Sequence, residues 1–151
     1  MERLVIAVVA VAIAGVVALV LQRRRPAPPT NDGWTIPAQL DRRDFDRPEA
    51  PWLVAVFTSA TCDTCAGVAA KAIALDGGAG SPVCVQELEV SVDEDLHRRY
   101  AIDAVPLVLV ADADGVVVWH ALGPVTATDL WAAVAEAREP GSTPGACAHE
   151  D

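Results

Sequence analysis

The strongest constraint on this chain is an unbroken apolar run from Leu4 to Leu21, built of Leu, Val, Ile, Ala and a single Gly. At helical rise it covers about 27 Å, close to the hydrocarbon thickness of a bilayer. A helix pairs its backbone polar groups internally, as lipid requires. A helix in a soluble core would carry a polar face, and this run carries none. A cleaved leader would need a basic front, a shorter apolar stretch and a small-residue cleavage site. Here the front carries only Arg3, offset by Glu2, while Arg23, Arg24 and Arg25 follow Gln22 directly behind the run. Arginines there oppose translocation and cleavage, and Ala27-Pro28 offers no cleavage pattern. The sequence therefore predicts a short flank at 1–3 and one transmembrane helix at 4–21. The flank richer in arginine stays cytoplasmic, so the expected topology is a single pass through the cell membrane, N-terminus outside and soluble domain inside. The arginines would also lie well against anionic lipid head groups.

Residues 22–33 form a basic, proline-rich linker, since Pro26, Pro28 and Pro29 remove donors and keep the chain extended. Residues 34–138 are the expected soluble domain, long enough for one hydrophobic core. The tail at 139–151 holds Pro, Gly, Ser and Thr without an apolar period and is expected to be disordered. The whole chain has 151 residues and a formal charge of −10. That sign repels phosphate backbones and excludes nucleic acid as an expected partner; it suits partners with a basic docking face.

Within the domain, strand-like and helix-like stretches alternate. Thr35 to Pro51 is mixed and charged, read as a short strand and then a helical turn, with Leu40 and Phe45 as packing residues. Trp52 to Thr58 is nearly continuous in apolarity, as a strand buried on both faces must be. Cys62 to Leu75 is alanine-rich and predicts a helix, ended by Gly77, Gly78, Gly80 and Pro82. Val83 to Val90 reads as a strand, and Asp93 to Tyr100 as a helix that Asp93 would cap. Leu107 to Ala111 is a third strand, Asp112 to Gly115 a hairpin turn, Val116 to Ala121 a fourth strand. Thr126 to Arg138 is a closing helix, capped by Thr126 or Thr128. Long crossovers imply parallel neighbours and a tight turn an antiparallel pair, so the expected fold class is α/β, a mixed sheet flanked by helices. Trp34, Trp52, Trp119 and Trp131 read as packing residues, His97 and His120 as surface groups, and Lys71 as a solvated helix residue.

Cys62-Asp63-Thr64-Cys65 falls where the first buried strand hands over to a helix. A helix start favours an anion, hence the thiolate of Cys62. A spacing of three brings two sulfurs to one face, close enough to bridge. Cys62 would project outward to meet a partner's disulfide, and Cys65, one turn inside, would resolve the mixed disulfide. Asp63 opposes thiolate formation beside it, while the Thr64 hydroxyl can donate to sulfur. Spacing alone leaves three uses open: a redox pair, half of a zinc site, or coincidence. Zinc needs two more ligands, and the candidates Cys84, Cys147, His97, His120 and His149 include no second C-x-x-C and no H-x₃-H. Cys84, inside an apolar strand, reads as inert core.

The order of these motifs resembles the thioredoxin family over about Trp52 to Arg138. Phe57 through Cys65 resembles that family's passage from strand to active site. Tyr100-Ala101-Ile102-Asp103-Ala104-Val105-Pro106 resembles the approach to its cis-proline, Asp114-Gly115 with Val116–Val118 its hairpin, and Gly123 the glycine near its site. The resemblance implies a thioredoxin-like sheet, Cys62 and Cys65 as the catalytic pair, a cis bond before Pro106 packed against them, and the Val105 backbone as a receiver of substrate peptide. Asp63 and Thr64 would shape the same site. Three departures mark a specialised relative: Thr61 stands where the family carries Trp, Asp63-Thr64 replaces Gly-Pro, and Val56 occupies the place of a buried acid.

The expected activity is thiol–disulfide exchange by a membrane-anchored oxidoreductase. It needs no cofactor or metal, and its partners are protein disulfides or dithiols together with an electron donor or acceptor. The alternative from the same residues is a binding module or a carrier that holds a soft metal ion on the dithiol.

Overall fold

The computed structural model describes residues 34–142. The expected span at 4–21, the linker at 22–33 and all of the tail beyond Ser142 lie outside the described residues. Among the described residues no helix is long and apolar enough to cross a membrane.

Four strands form one sheet: β1 (Trp52–Thr58), β2 (Val83–Glu89), β3 (Leu107–Ala111) and β4 (Val117–Leu122). Their spatial order is β2-β1-β3-β4. β1 runs parallel to β2 and antiparallel to β3, and β3 runs antiparallel to β4. The helices are α1 (Cys65–Ile73), α2 (Glu94–Arg99) and α3 (Ala127–Arg138). The mixed α/β sheet is thus the expected one, and β1 and β3 have the expected bounds.

Side chains alternate across a strand, so the two central strands feed two cores. Val54, Val56, Val108 and Val110 meet Val68, Ala69 and Ala72 of α1 and Leu130 and Val134 of α3. Leu53, Ala55, Phe57, Leu107 and Leu109 meet Leu88 and the N-terminal segment through Leu40, Phe45 and Ala50, with Leu96 of α2 against them. Burial on both sides explains why β1 and β3 read as unbroken apolar runs. Each fully buried Leu, Val or Phe contributes about 1.5–3 kcal/mol in transfer free energy.

The N-terminal segment makes only a bridge, Gln39 opposite Val116, before a single 3₁₀ turn at Arg42–Asp44 capped by Asp41. Leu40 donates to the Gly115 carbonyl at 2.8 Å. A side chain at Gly115, where φ is +81°, would collide with the Leu40 carbonyl. Tyr100 staples this segment to α2: its hydroxyl accepts from the Asp41 N–H at 2.9 Å and donates to Asp44. Burial and the Asp44 carboxylate push the Tyr100 phenol up to about 12.

Several side chains sit other than where sequence placed them. His97 is buried, its Nε2 2.9 Å from the Leu88 carbonyl and its ring edge-on to Phe57, so it is a core residue and not a surface group. His120 is half-buried on β4. Trp34 and Trp131 are about half exposed, while Trp52 and Trp119 pack against the core as expected. Lys71 is tethered rather than free, donating to the Val125 carbonyl at 3.0 Å. Thr126 caps α3 by accepting from the Asp129 N–H at 3.1 Å. Asp93 precedes α2 without capping it; its carboxylate accepts from the Glu89 N–H at 3.1 Å.

That last bond belongs to a pattern. β2 is an edge strand, and alternate residues of a parallel strand turn their amides away from the partner. Side chains occupy these outward donors: Ser81 takes the Val83 N–H, Asp76 the Val85 N–H and Asp93 the Glu89 N–H.

Candidate active site

The site grows from the ends of three neighbouring strands. Phe57 near the end of β1 stands opposite Leu107 at the start of β3, and Leu107 opposite Leu122 at the end of β4. The loop after β1, the turn before β3 and the turn after β4 therefore share one end of the sheet. They carry Cys62 and Cys65, Val105-Pro106 and Gly123.

The loop from Ser59 to Thr64 is a chain of turns. Cys62 donates its N–H to the Ser59 carbonyl at 3.1 Å, and Cys65 donates to the Cys62 carbonyl at 3.3 Å. The helix starts at Cys65, not at Cys62 as the alanine-rich pattern suggested. The reason is local: Thr61, Asp63 and Thr64 are poor helix formers, and Thr64 takes the cap position. Cys62 thus stands one turn ahead of the helix mouth.

The sulfurs of Cys62 and Cys65 are joined in a disulfide, with Cα atoms 5.4 Å apart. Cys65 is 2 % exposed beneath the first turn of α1, and Cys62 is half-buried. The Thr64 hydroxyl lies 3.7 Å from Cys62 Sγ; a bonded sulfur has no proton, so the hydroxyl donates. Asp63 and Thr64 are exposed on the rim.

The Val105-Pro106 peptide bond is cis. Pro106 is buried and Val105 half-buried. The Pro106 carbonyl accepts from the Gly123 N–H at 2.8 Å, with Gly123 at φ +91°. The turn before β3 is in this way tied to the turn after β4.

Two carboxylates of β2 were missed by sequence reasoning. Val56 is fully buried, and directly opposite it on β2 stands Glu87. Glu87 accepts from the Thr58 hydroxyl at 2.9 Å. Glu89 stands opposite Thr58 and accepts from the Ala60 N–H at 2.9 Å. The Ser91 hydroxyl and the Ala60 N–H hold its carboxyl below the ordinary range. Only the register of β1 against β2 carries the pair to the cysteine loop.

Among the described residues no group of three or more His, Cys, Asp or Glu side chains is placed to hold a metal ion. Cys84 is buried beside the start of β1, opposite Leu53, at the other end of the sheet. Cys147 and His149 lie outside the described residues.

No protein-family model matches the chain, and no curated protein does. Solved structures do. One is described as a malarial protein: 16% identical, TM-score 0.50, with 57% of this chain and 96% of that one covered. Another is thioredoxin-2, described as a component of the malaria parasite's protein secretion machinery: 16% identical, TM-score 0.51, covering 57% of this chain and 82% of that one. The fold is thioredoxin-like. Identity at this level speaks to architecture alone. On this thioredoxin-like fold a C-x-x-C disulfide sits at the end of the central parallel strand, which suggests thiol–disulfide chemistry.

Proposed function

We propose that the chain is a thiol–disulfide oxidoreductase held at the membrane by residues 4–21. The observation that carries this reading is the pairing itself: two sulfurs bonded across a C-x-x-C, one half-buried and reachable, the other covered. A structural disulfide gains nothing from one reachable sulfur; an exchanging one requires it.

In the reduced form the Cys62 thiolate attacks one sulfur of a partner disulfide. A bond forms between Cys62 and that sulfur, and the partner's other sulfur leaves as a thiolate and takes a proton. The Cys65 thiolate then attacks Cys62 Sγ. The mixed disulfide breaks, the partner leaves as a dithiol, and the Cys62–Cys65 disulfide closes. Two electrons pass to the partner, and the same steps reversed oxidise a partner dithiol. Thr64 supports the Cys62 thiolate by hydrogen bonding, and Asp63 faces the partner from the rim. Pro106 shapes the floor of the site, and the Val105 backbone receives the partner's extended peptide. An electron donor or acceptor resets the pair.

Replacing Cys65 with serine leaves Cys62 unable to be resolved. Cys65→Ser should accumulate mixed disulfides on non-reducing gels, and Cys62→Ser should not. Equal trapping by both would reverse the assignment, and trapping by neither would end the reading. The arginines at 23–25 support a cytoplasmic orientation of the domain; ready labelling of Cys147 by an impermeant reagent on intact cells would overturn that orientation.

A further inference from the structure

Glu89 ends β2 and stands opposite Thr58, the end of β1. Its carboxylate holds two loops at once. Oε1 accepts from the Ala60 N–H at 2.9 Å, and Ala60 lies two residues ahead of Cys62. Oε2 accepts from the N–H of Ser91 at 2.8 Å and from the Ser91 hydroxyl. The second loop is fixed in turn: Val90 donates to the Thr58 carbonyl at 3.0 Å, and Val92 to the Glu89 carbonyl at 3.0 Å. On its own side the cysteine loop is braced by the Cys62 N–H on the Ser59 carbonyl at 3.1 Å and by the Ser59 hydroxyl, 3.0 Å from that of Thr61.

We infer that Glu89 is a positioning residue for the dithiol: through the Ala60 N–H it keeps the Cys62 loop in the conformation that sets its sulfur against Cys65. The inference rests on the exchange reading above. In the oxidised form the covalent bond holds the loop. In the reduced form the loop depends on its hydrogen bonds. A looser loop lowers the effective concentration of one sulfur at the other, and disulfide formation weakens accordingly. The bond to a backbone N–H, rather than the charge, is the agent. Glutamine at this position keeps an oxygen for Ala60, loses the charge, and turns its amide nitrogen to Ser91, whose hydroxyl can accept from it while the Ser91 N–H loses its acceptor. Methionine keeps the length and loses both.

The test is the equilibrium of the full chain, held in detergent, with reduced and oxidised glutathione. Glu89→Met should lower the equilibrium constant for disulfide formation by about tenfold, equivalent to about 30 mV for a two-electron couple. Glu89→Gln should stay within about twofold of the parent. The Ala60 amide proton, followed by NMR, should move upfield in the methionine variant and stay in place in the glutamine variant. A methionine variant matching the parent, or a glutamine variant shifting as far as methionine, overturns the inference. If circular dichroism finds Glu89→Met unfolded, Ser91→Ala removes the hydroxyl from Oε2, leaves the Ser91 N–H as its one donor there, and should shift the equilibrium the same way by about twofold; no shift there overturns it equally. A parent pair that does not equilibrate with glutathione sinks the exchange reading and this inference together, and is seen before any variant is made.

Discussion

The two ends of the β1–β2 pair each carry cysteine, and they treat it in opposite ways. At the C-terminal end Cys62 lies in a loop of turns, half-buried, with a hydroxyl aimed at its sulfur. At the N-terminal end Cys84 is 1 % exposed and donates its S–H to the Asp46 carbonyl at 3.0 Å. Burial pushes the Cys84 thiol up, against the pull of the Arg47 guanidinium. Around it charged side chains tie the chain together. Arg47 bonds both carboxylate oxygens of Asp76 at 2.7 Å and reaches the Gly78 and Val83 carbonyls. Arg42, also buried, donates to the Asp112 carbonyl at 2.8 Å. One end is ordered by turns and left open, the other closed by charge. The difference teaches that access and local donors, not the presence of a thiol, distinguish the two cysteine environments.

The sharpest break between the ends is chemical. Cys62→Ser should reduce thiol–disulfide exchange with a small disulfide by roughly a thousandfold or more, since the proposed nucleophile is gone. Cys84→Ala should leave the same rate within about twofold. A Cys84 variant that loses exchange would show that the closed end takes part, and the comparison would fail.

The second prediction concerns what the closed end is for. Asp76→Ala removes the acceptor of the Gly78 and Val85 N–H groups and leaves Arg47 half-buried and unpaired. Urea unfolding should report a loss of about 2–3 kcal/mol with exchange at room temperature preserved. The pH dependence follows in sign. Burial works to raise the Asp76 carboxyl, but the Gly78 and Val85 N–H groups and Arg47 outweigh it and hold it below its ordinary 3.8. Asp41, bonded to Arg43, is lowered to about 2. Stability from such groups is complete above pH 4 and is lost as pH falls through their folded values. The parent's unfolding free energy should therefore decline below pH 4, and less steeply in Asp76→Ala. An equal slope in both would detach Asp76 from the acid limb.

Much of this architecture was legible in the residues, because burial writes itself into period. Strands covered on both faces must be continuously apolar, and β1 and β3 were read to the residue. The mixed sheet followed from the succession of elements, and its thioredoxin-like character from resemblance. Where sequence misplaced a boundary, tertiary context decided it: the alanine pattern ran back to Cys62, while the chain turns at Asp63 and Thr64 and starts its helix later. His97 looked like a surface group on a charged helix; its partners, Phe57 and the Leu88 carbonyl, come from other strands. Glu87 and Glu89 were invisible for the same reason, since a register between strands has no signature in either one. The cis bond before Pro106 came from resemblance, because X-Pro alone favours trans.

The smallest expected effect separates the ends most finely. Thr64→Val keeps shape and removes the hydroxyl beside Cys62. Alkylation of the reduced pair at neutral pH should slow about fivefold, the value of one net hydrogen bond to sulfur. Cys84 in the same sample should react only on denaturation. Unchanged alkylation would assign the Cys62 environment to the nearby helix mouth and not to Thr64.

The side-chain caps along the outer edge of β2 have a consequence for molecules meeting one another. An uncovered edge strand is a template on which another chain's strand can assemble, and such contacts spread into aggregates. Here Ser81, Asp76 and Asp93 have already claimed outward donors of that edge. Two copies meeting side by side find three of that edge's donors already taken, which weakens β2 as a template for strand pairing.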